Sequence, residues 1–260
     1  MPDRKIMPHP IQDGYSSSAN TTAGKSLKRI FHQDDSLKKI EVQPASESLL
    51  MNRMRLAIFV HLCNVPGSHT RAIARVMGCG PNAITWNLKR LTDAGFIESA
   101  QVWGKRVHWI SGMVKQADAP IILALRQDWA TDVMKIVVSG RKGVTQAQIA
   151  NRMRASQQKV SIWLGKMASA GLLDKQGTGR RAEYHVHPDA ARKYEEYRNL
   201  AMEHSRLVLS ILHSDGLMPS KNRLRGSRLS VVVKVPLGST KFSIECNPLA
   251  RLKQFIISKT

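Results

Sequence analysis

Acidic residues, aromatics, cysteines and long apolar runs are all scarce in this chain of 260 residues. Asp and Glu total 19 against 40 Lys and Arg, which leaves a formal charge of +21. Such a charge says nothing about fold. It favours a polyanionic partner, because each phosphate neutralised by Lys or Arg releases condensed counterions. The scattered carboxylates form no cluster of the kind a metal-dependent nuclease uses. Aromatics make up 5% of the chain, which argues against a surface built to stack single-stranded bases. Cys63, Cys79 and Cys246 are an odd, widely spaced set rather than a disulfide framework, so a reducing compartment is expected. The longest apolar runs, LAIFV at 56–60 and IILAL at 121–125, fall far short of a bilayer span. The opening MPDRKIMPHPIQDG lacks the apolar core of a secretory signal, and a cytoplasmic, nucleoid-associated protein is expected.

Catalytic motifs are missing as well. Gly78-Cys79-Gly80 and Gly177-Thr178-Gly179 match neither a dinucleotide-binding nor a Walker loop, and neither runs from a strand into a helix. No H-E-x-x-H or C-x-x-C occurs. Cys63 and Cys79, with His61 and His69 nearby, come nearest to a zinc set. Cys63, however, closes a predicted helix and Cys79 sits in a turn, and free Cys is a common buried small residue. No metal, cofactor or enzymatic activity is expected.

What the chain does contain is one pattern written twice. Residues 70–97, TRAIARVMGCGPNAITWNLKRLTDAGFI, align without a gap on residues 146–173, QAQIANRMRASQQKVSIWLGKMASAGLL. Position 73 falls on 149 and 95 on 171, an offset of 76 throughout. Stacked solenoid units repeat at periods up to roughly 50 residues, so the longer spacing reads as two copies of a small domain.

Each copy predicts the same series of elements. LLMNRMRLAIFVHL, from Leu49, has a broadly helical pattern that VPGSH breaks. A second helix follows at about 70–77. Gly80-Pro81 opens a third, with Pro81 at the first helical position, where its missing N–H costs nothing. Ile84, Leu88 and Leu91 form its buried stripe, and Gly95 is placed as a left-handed cap. QVWGKRVHWI then reads as a hairpin turning at Gly104-Lys105. The second copy has a first helix at about 121–139 and a Thr145/Gln148 capping box. Its third helix carries Val160, Leu164 and Met167 inward and ends at Gly171, before a hairpin turning at 177–179.

The fold class expected is mainly α with small β-hairpins: two tandem winged helix-turn-helix domains, a long helix and flexible basic tails. The boundaries are a disordered polar tail at 1–46, with a short helix near 25–33, a first domain at 47–112 and a linker at 113–119. A second domain covers 120–188, a long helix 189–216, and a basic segment with a β-hairpin 217–260. In the long helix Ala190, Tyr194, Tyr197, Ala201, His204, Val208 and Ile211 step alternately by four and three, a heptad seam. Two uses compete for it: pairing with a second copy through 189–214, or packing back on its own domain.

The residues left exposed by the buried stripes are the candidate site. In the first copy these are Asn82, Thr85, Trp86, Lys89 and Arg90, and in the second Gln157, Gln158, Lys159, Ser161 and Lys166. Amide, hydroxyl and cationic side chains bond base edges or phosphates, and an aromatic packs on a thymine methyl. Trp86 suits either that contact or half-burial against the hairpin. Lys105, Arg106 and His108 on the first hairpin and Arg180 and Arg181 on the second suit phosphate or minor-groove contact, and Arg71 and Arg75 on the second helix suit the flanking backbone.

Each copy resembles the winged helix-turn-helix domains of archaeal and bacterial MarR- and ArsR-type regulators. The resemblance rests on IAxxM at 73–77 and 149–153, then [IV]-[TS]-x-x-L-x-[RK]-[LM]-x-x-A-G-[FL]-[IL] at 84–97 and 160–173, followed by a basic hairpin. It implies a third helix in the DNA major groove and a wing on the neighbouring backbone. Duplex DNA is the partner expected and transcription regulation the role. A DNA-coating architectural protein, a protein–protein scaffold and a replication initiator are the rival readings.

Overall fold

The computed structural model describes residues 48–140, 142–235 and 238–256, with the backbone alone at Arg180. The expected polar tail at 1–46 and its short helix lie outside the described residues. Among the described residues, α-helices are mixed with three small antiparallel sheets of three strands each. That architecture is compatible with winged helix-turn-helix structure.

Helix α1, Arg53–Asn64, starts at Asn52, whose side chain accepts from the backbone N–H groups of Met54 (3.0 Å) and Arg55 (3.2 Å). Every residue from Arg55 to Cys63 is buried, so α1 is a central helix rather than an amphipathic cover. Strand β1, Ser68–His69, leads into α2, Thr70–Met77, and Gly78 ends it at a left-handed φ of 66°. Helix α3, Pro81–Asp93, opens on Gly80-Pro81 as expected and buries Ile84, Leu88 and Leu91. Gly95 is left-handed, and the N–H of Phe96 closes the helix on the Leu91 carbonyl at 3.0 Å. Strands β2, Ile97–Val102, and β3, Lys105–Ile110, form the hairpin. Its turn is Trp103-Gly104, one residue earlier than the sequence suggests. Both residues have positive φ, 47° and 76°, as a tight two-residue hairpin turn requires. The unexpected β1 pairs with β3, giving the order β1-β3-β2.

The same order of elements then recurs. Helix α4, Ala119–Ala124, and helix α5, Asp128–Ser139, replace the single helix expected at 121–139. The break lies at Arg126, whose guanidinium turns inward and donates to the carbonyls of Pro66 (3.1 Å) and Asn64 (3.4 Å) at the end of α1. Strand β4, Val144–Thr145, precedes α6, Gln146–Met153, which carries the complete Thr145/Gln148 capping box. Helix α7, Gln157–Ser169, follows, capped by Ser156, and then strands β5, Leu173–Gln176, and β6, Glu183–Val186. The sheet order β4-β6-β5 matches that of the first sheet.

The expected long helix is two helices, α8 (Pro188–Asn199) and α9 (Ala201–Ser214), separated at Leu200. All seven residues of the heptad seam are buried within this one chain. Of the two uses expected for the seam, the structure shows packing within the chain. The C-terminal hairpin is also larger than expected. PSKNRLR at 219–225 is strand β7, and with β8 (Arg228–Val235) and β9 (Gly238–Glu245) it makes a three-stranded sheet, followed by the short helix α10, Lys253–Ile256.

These parts share one hydrophobic core. The linker is pinned at Asp118, a buried carboxylate that pairs with Lys193 and accepts from the Tyr197 hydroxyl at 2.9 Å. That hydroxyl oxygen in turn accepts from the Lys115 N–H at 2.9 Å, and the Lys115 ammonium pairs with Glu196. Asn64 ties α1 to the C-terminal sheet: its amide donates to the Ser243 carbonyl (2.9 Å) and accepts from the Glu245 N–H (3.1 Å), as a neighbouring strand would. Asp118→Asn leaves Lys193 without its countercharge and is expected to lower the unfolding free energy by about 3 kcal/mol. Tyr197→Phe is expected to cost about 1 kcal/mol. Urea unfolding of both variants checks this ranking.

Candidate nucleic-acid interface

The core-facing stripe of α3 decides which side chains remain for contact. With Ile84, Leu88 and Leu91 buried, Asn82, Thr85, Trp86, Lys89 and Arg90 are all exposed. Trp86 is 57% exposed, which settles its two readings: it is a surface residue, not a half-buried prop for the hairpin. Two guanidinium groups stand over its ring, Arg55 at 5.9 Å and Arg90 at 5.8 Å from the centroid. The Arg90 contact, between two exposed side chains, contributes about 0.5–1 kcal/mol. The result is a flat apolar surface flanked by charged donors. Thr85 donates its hydroxyl to the Pro81 carbonyl at 2.9 Å, and Lys89 pairs with Asp93 at 2.8 Å, so neither enters a contact unencumbered.

Helix α7 shares this design in part. Gln157, Gln158, Lys159 and Ser161 are exposed on its first half, and the Gln157 carbonyl accepts from the Gln146 amide at 3.0 Å. The Lys159 ammonium stands 5.1 Å above the Trp163 ring, which is itself stacked on Trp129 at 5.2 Å with 4° between the planes. Lys166 is placed differently from these four. It is half-buried, with its ammonium 5.6 Å from the centroid of Trp103, so it is directed at the first hairpin. Ile162, absent from the sequence-derived set, is 61% exposed. It occupies in α7 the position that Trp86 holds in α3, as the 76-residue offset already indicated.

The basic residues around these helices divide by burial. Arg71 and Arg75 are exposed on α2 and Lys105 and Arg106 at the hairpin tip. On the second hairpin Arg181 is exposed, while the Arg180 side chain lies outside the described residues. The turn between α6 and α7 adds an unexpected cation: Arg154 takes the left-handed conformation, φ 50°, where the first copy has Gly78.

His108 is corrected. It is 4% exposed, because β1 places Ser68 opposite it and makes β3 the central strand of its sheet. Burial first, and the nearby Arg106 and His69 second, lower its pKa to about 4, so it is neutral at pH 7 and carries no charge to a phosphate. His61 is also held neutral, with its pKa lowered to about 3 by burial and by Arg126. The Ser68 hydroxyl donates to the Val65 carbonyl at 2.7 Å, so His61 Nε2, 3.0 Å away, is the donor in the His61–Ser68 bond. Cys63 is buried, and burial raises its thiol well above the ordinary range.

No family model matches the chain. A search of curated proteins finds an uncharacterized HTH-type transcriptional regulator of Methanocaldococcus jannaschii, 22% identical over 140 residues. The aligned part is 54% of this chain and 35% of that protein, so the match spans about a third of the relative's length. Among solved structures, the DIP2311 protein of Corynebacterium diphtheriae aligns over 52% of this chain and 26% of its own, at 14% identity and a TM-score of 0.21. A likeness at that score carries no argument.

Two buried neutral histidines give the fold a pH signature. Unfolded His binds a proton below about pH 6.5, while the folded forms resist until about pH 4 and 3. Stability is therefore full near neutrality and falls as the pH drops through 6.5, by about 2 kcal/mol for each His at pH 5. Urea unfolding between pH 7 and 4.5 checks this, and His108→Asn is expected to remove the His108 share, about 2 kcal/mol at pH 5, while the His61 share remains.

Proposed function

We propose that this chain is a double-stranded DNA-binding transcription regulator with two winged helix-turn-helix domains in tandem, residues 47–112 and 120–188. In this reading α3 and α7 enter major grooves and the basic hairpins rest on the adjacent backbone. One observation carries it. Both third helices bury a stripe of three apolar residues and expose a large apolar side chain at the same position, Trp86 and Ile162, among hydrogen-bonding neighbours. A single exposed apolar residue needs no explanation. The same position exposed in two copies supports a shared contact surface, and the thymine methyl is the apolar target a major groove offers. The distant relative described as an HTH-type transcriptional regulator supports the reading further.

The contacts divide by role. Asn82, Arg90, Gln157 and Gln158 are assigned to base edges, where bidentate amide and guanidinium groups discriminate between bases. Arg71, Arg75, Lys105, Arg106 and Arg181 are assigned to phosphates, which hold the protein in register without reading sequence. Since Lys166 is engaged with Trp103, base contact on α7 falls to its first half. The +21 charge favours a second reading, coverage of long DNA by an architectural protein.

Fluorescence anisotropy on a random duplex and on genomic fragments enriched by the protein, at low and moderate salt, separates these readings. A regulator is expected to prefer an enriched site by about a thousandfold or more. Steep salt dependence without preference marks an architectural protein, and absence of binding overturns both. Trp86→Ala is expected to cut the preference about tenfold. Lys105→Ala with Arg106→Ala should weaken both duplexes alike and reduce the salt slope by about 2.

A further inference from the structure

The C-terminal sheet has one apolar and one basic face. Leu229, Val231, Val233, Phe242 and Ile244 are buried on the inner side. The strand registers then fix what occupies the outer side. Lys221 and Lys241 both lie opposite Val232, Arg223 lies opposite Ser230, Arg225 opposite Arg228, and Lys234 opposite Ser239. Directly opposed residues share a face, so Lys221, Arg223, Arg225, Arg228, Lys234 and Lys241 stand together, and all six are exposed. Glu245 is the one carboxylate in this array, 3.9 Å from Arg228.

A solvated sheet face needs polar residues, not residues of one sign. Like charges placed directly opposite one another destabilise a sheet, and Arg225 opposite Arg228 is such a pair. Lysines on an edge strand also guard against strand pairing, which accounts for β7 but not for Arg228 and Lys234 on the central strand β8. The other edge, β9, is met by the Asn64 amide. Along β7 the cations recur every second residue, about 6.8 Å apart, on a surface three strands wide.

We infer that this face binds the phosphate backbone of duplex DNA, a contact surface separate from the third helices and hairpins. The choice of DNA as the polyanion rests on the function proposed above. The sheet supplies affinity without base readout, because Lys and Arg contacts to phosphate carry no sequence information.

The test uses the full chain with Lys221→Thr, Arg223→Thr and Lys241→Thr combined, Thr being well suited to strands. Removing three phosphate contacts is expected to reduce the slope of log K against log salt by about 2.7 and to leave the preference for an enriched site unchanged. Lys241→Thr alone should remove about 0.9, which covers the case in which the triple variant fails to fold. The charge-preserving Lys221→Arg with Lys241→Arg should keep the full slope. If the parent binds DNA and the slope ignores these substitutions, the sheet proposal is overturned while the proposed function stands. If the parent binds no duplex, the proposed function fails first. Binding to phosphatidylserine-containing vesicles that the triple variant loses, with DNA binding untouched, assigns the face to a membrane surface and overturns the proposal.

Discussion

One buried carboxylate fixes the linker between the two repeated segments. Asp118 is 1% exposed, and a carboxylate so far from water is tolerated only with a countercharge and a hydrogen-bond donor at hand. Lys193 and Tyr197 supply them from α8, one turn apart on the same face. The linker is thereby held against the C-terminal helices, and α4, which follows it directly, packs against both β2 of the first hairpin and α7. The Lys166–Trp103 contact is the surface expression of that arrangement.

The C-terminal part acts as a bracket for the same reason. Helix α1 is buried on nearly every side and needs cover beyond its own segment, which β9 provides through Asn64. Arg251 donates to the Leu125 carbonyl at 2.9 Å at the break after α4. Asp215, at the end of α9, accepts from the Ser48 hydroxyl (2.7 Å) and from the Leu49 N–H (2.8 Å), where the described chain begins. The apolar seam of α8 and α9 is consumed by this packing. What remains on the outside is polar, basic and punctuated by a few large apolar side chains.

The parts legible in the sequence were those with a local physical signature. Pro81 at a first helical position, the Thr145/Gln148 capping box, and Gly95 and Gly171 as left-handed caps depend on a few neighbouring residues, and each is present as expected. The misses came from long-range partners. Nothing near 121–139 announces that Arg126, where the helix is interrupted, will donate to carbonyls of residues 64 and 66. His108 looked like a hairpin cation because β1, two residues long, has no periodicity from which to be predicted. The period of the heptad seam marks a buried face, but periodicity does not say whether the partner is the same chain or another. Ile162 carries no polar group to mark it as a contact residue, and only its alignment with Trp86 in the repeat points to it.

Hydrogen exchange along the full chain, with and without an enriched duplex, tests the central claim most directly. Slowed exchange is expected at both α3 and α7 and at the hairpin tips, with α8 and α9 unchanged. Protection confined to one of the two third helices, or to neither, would contradict it.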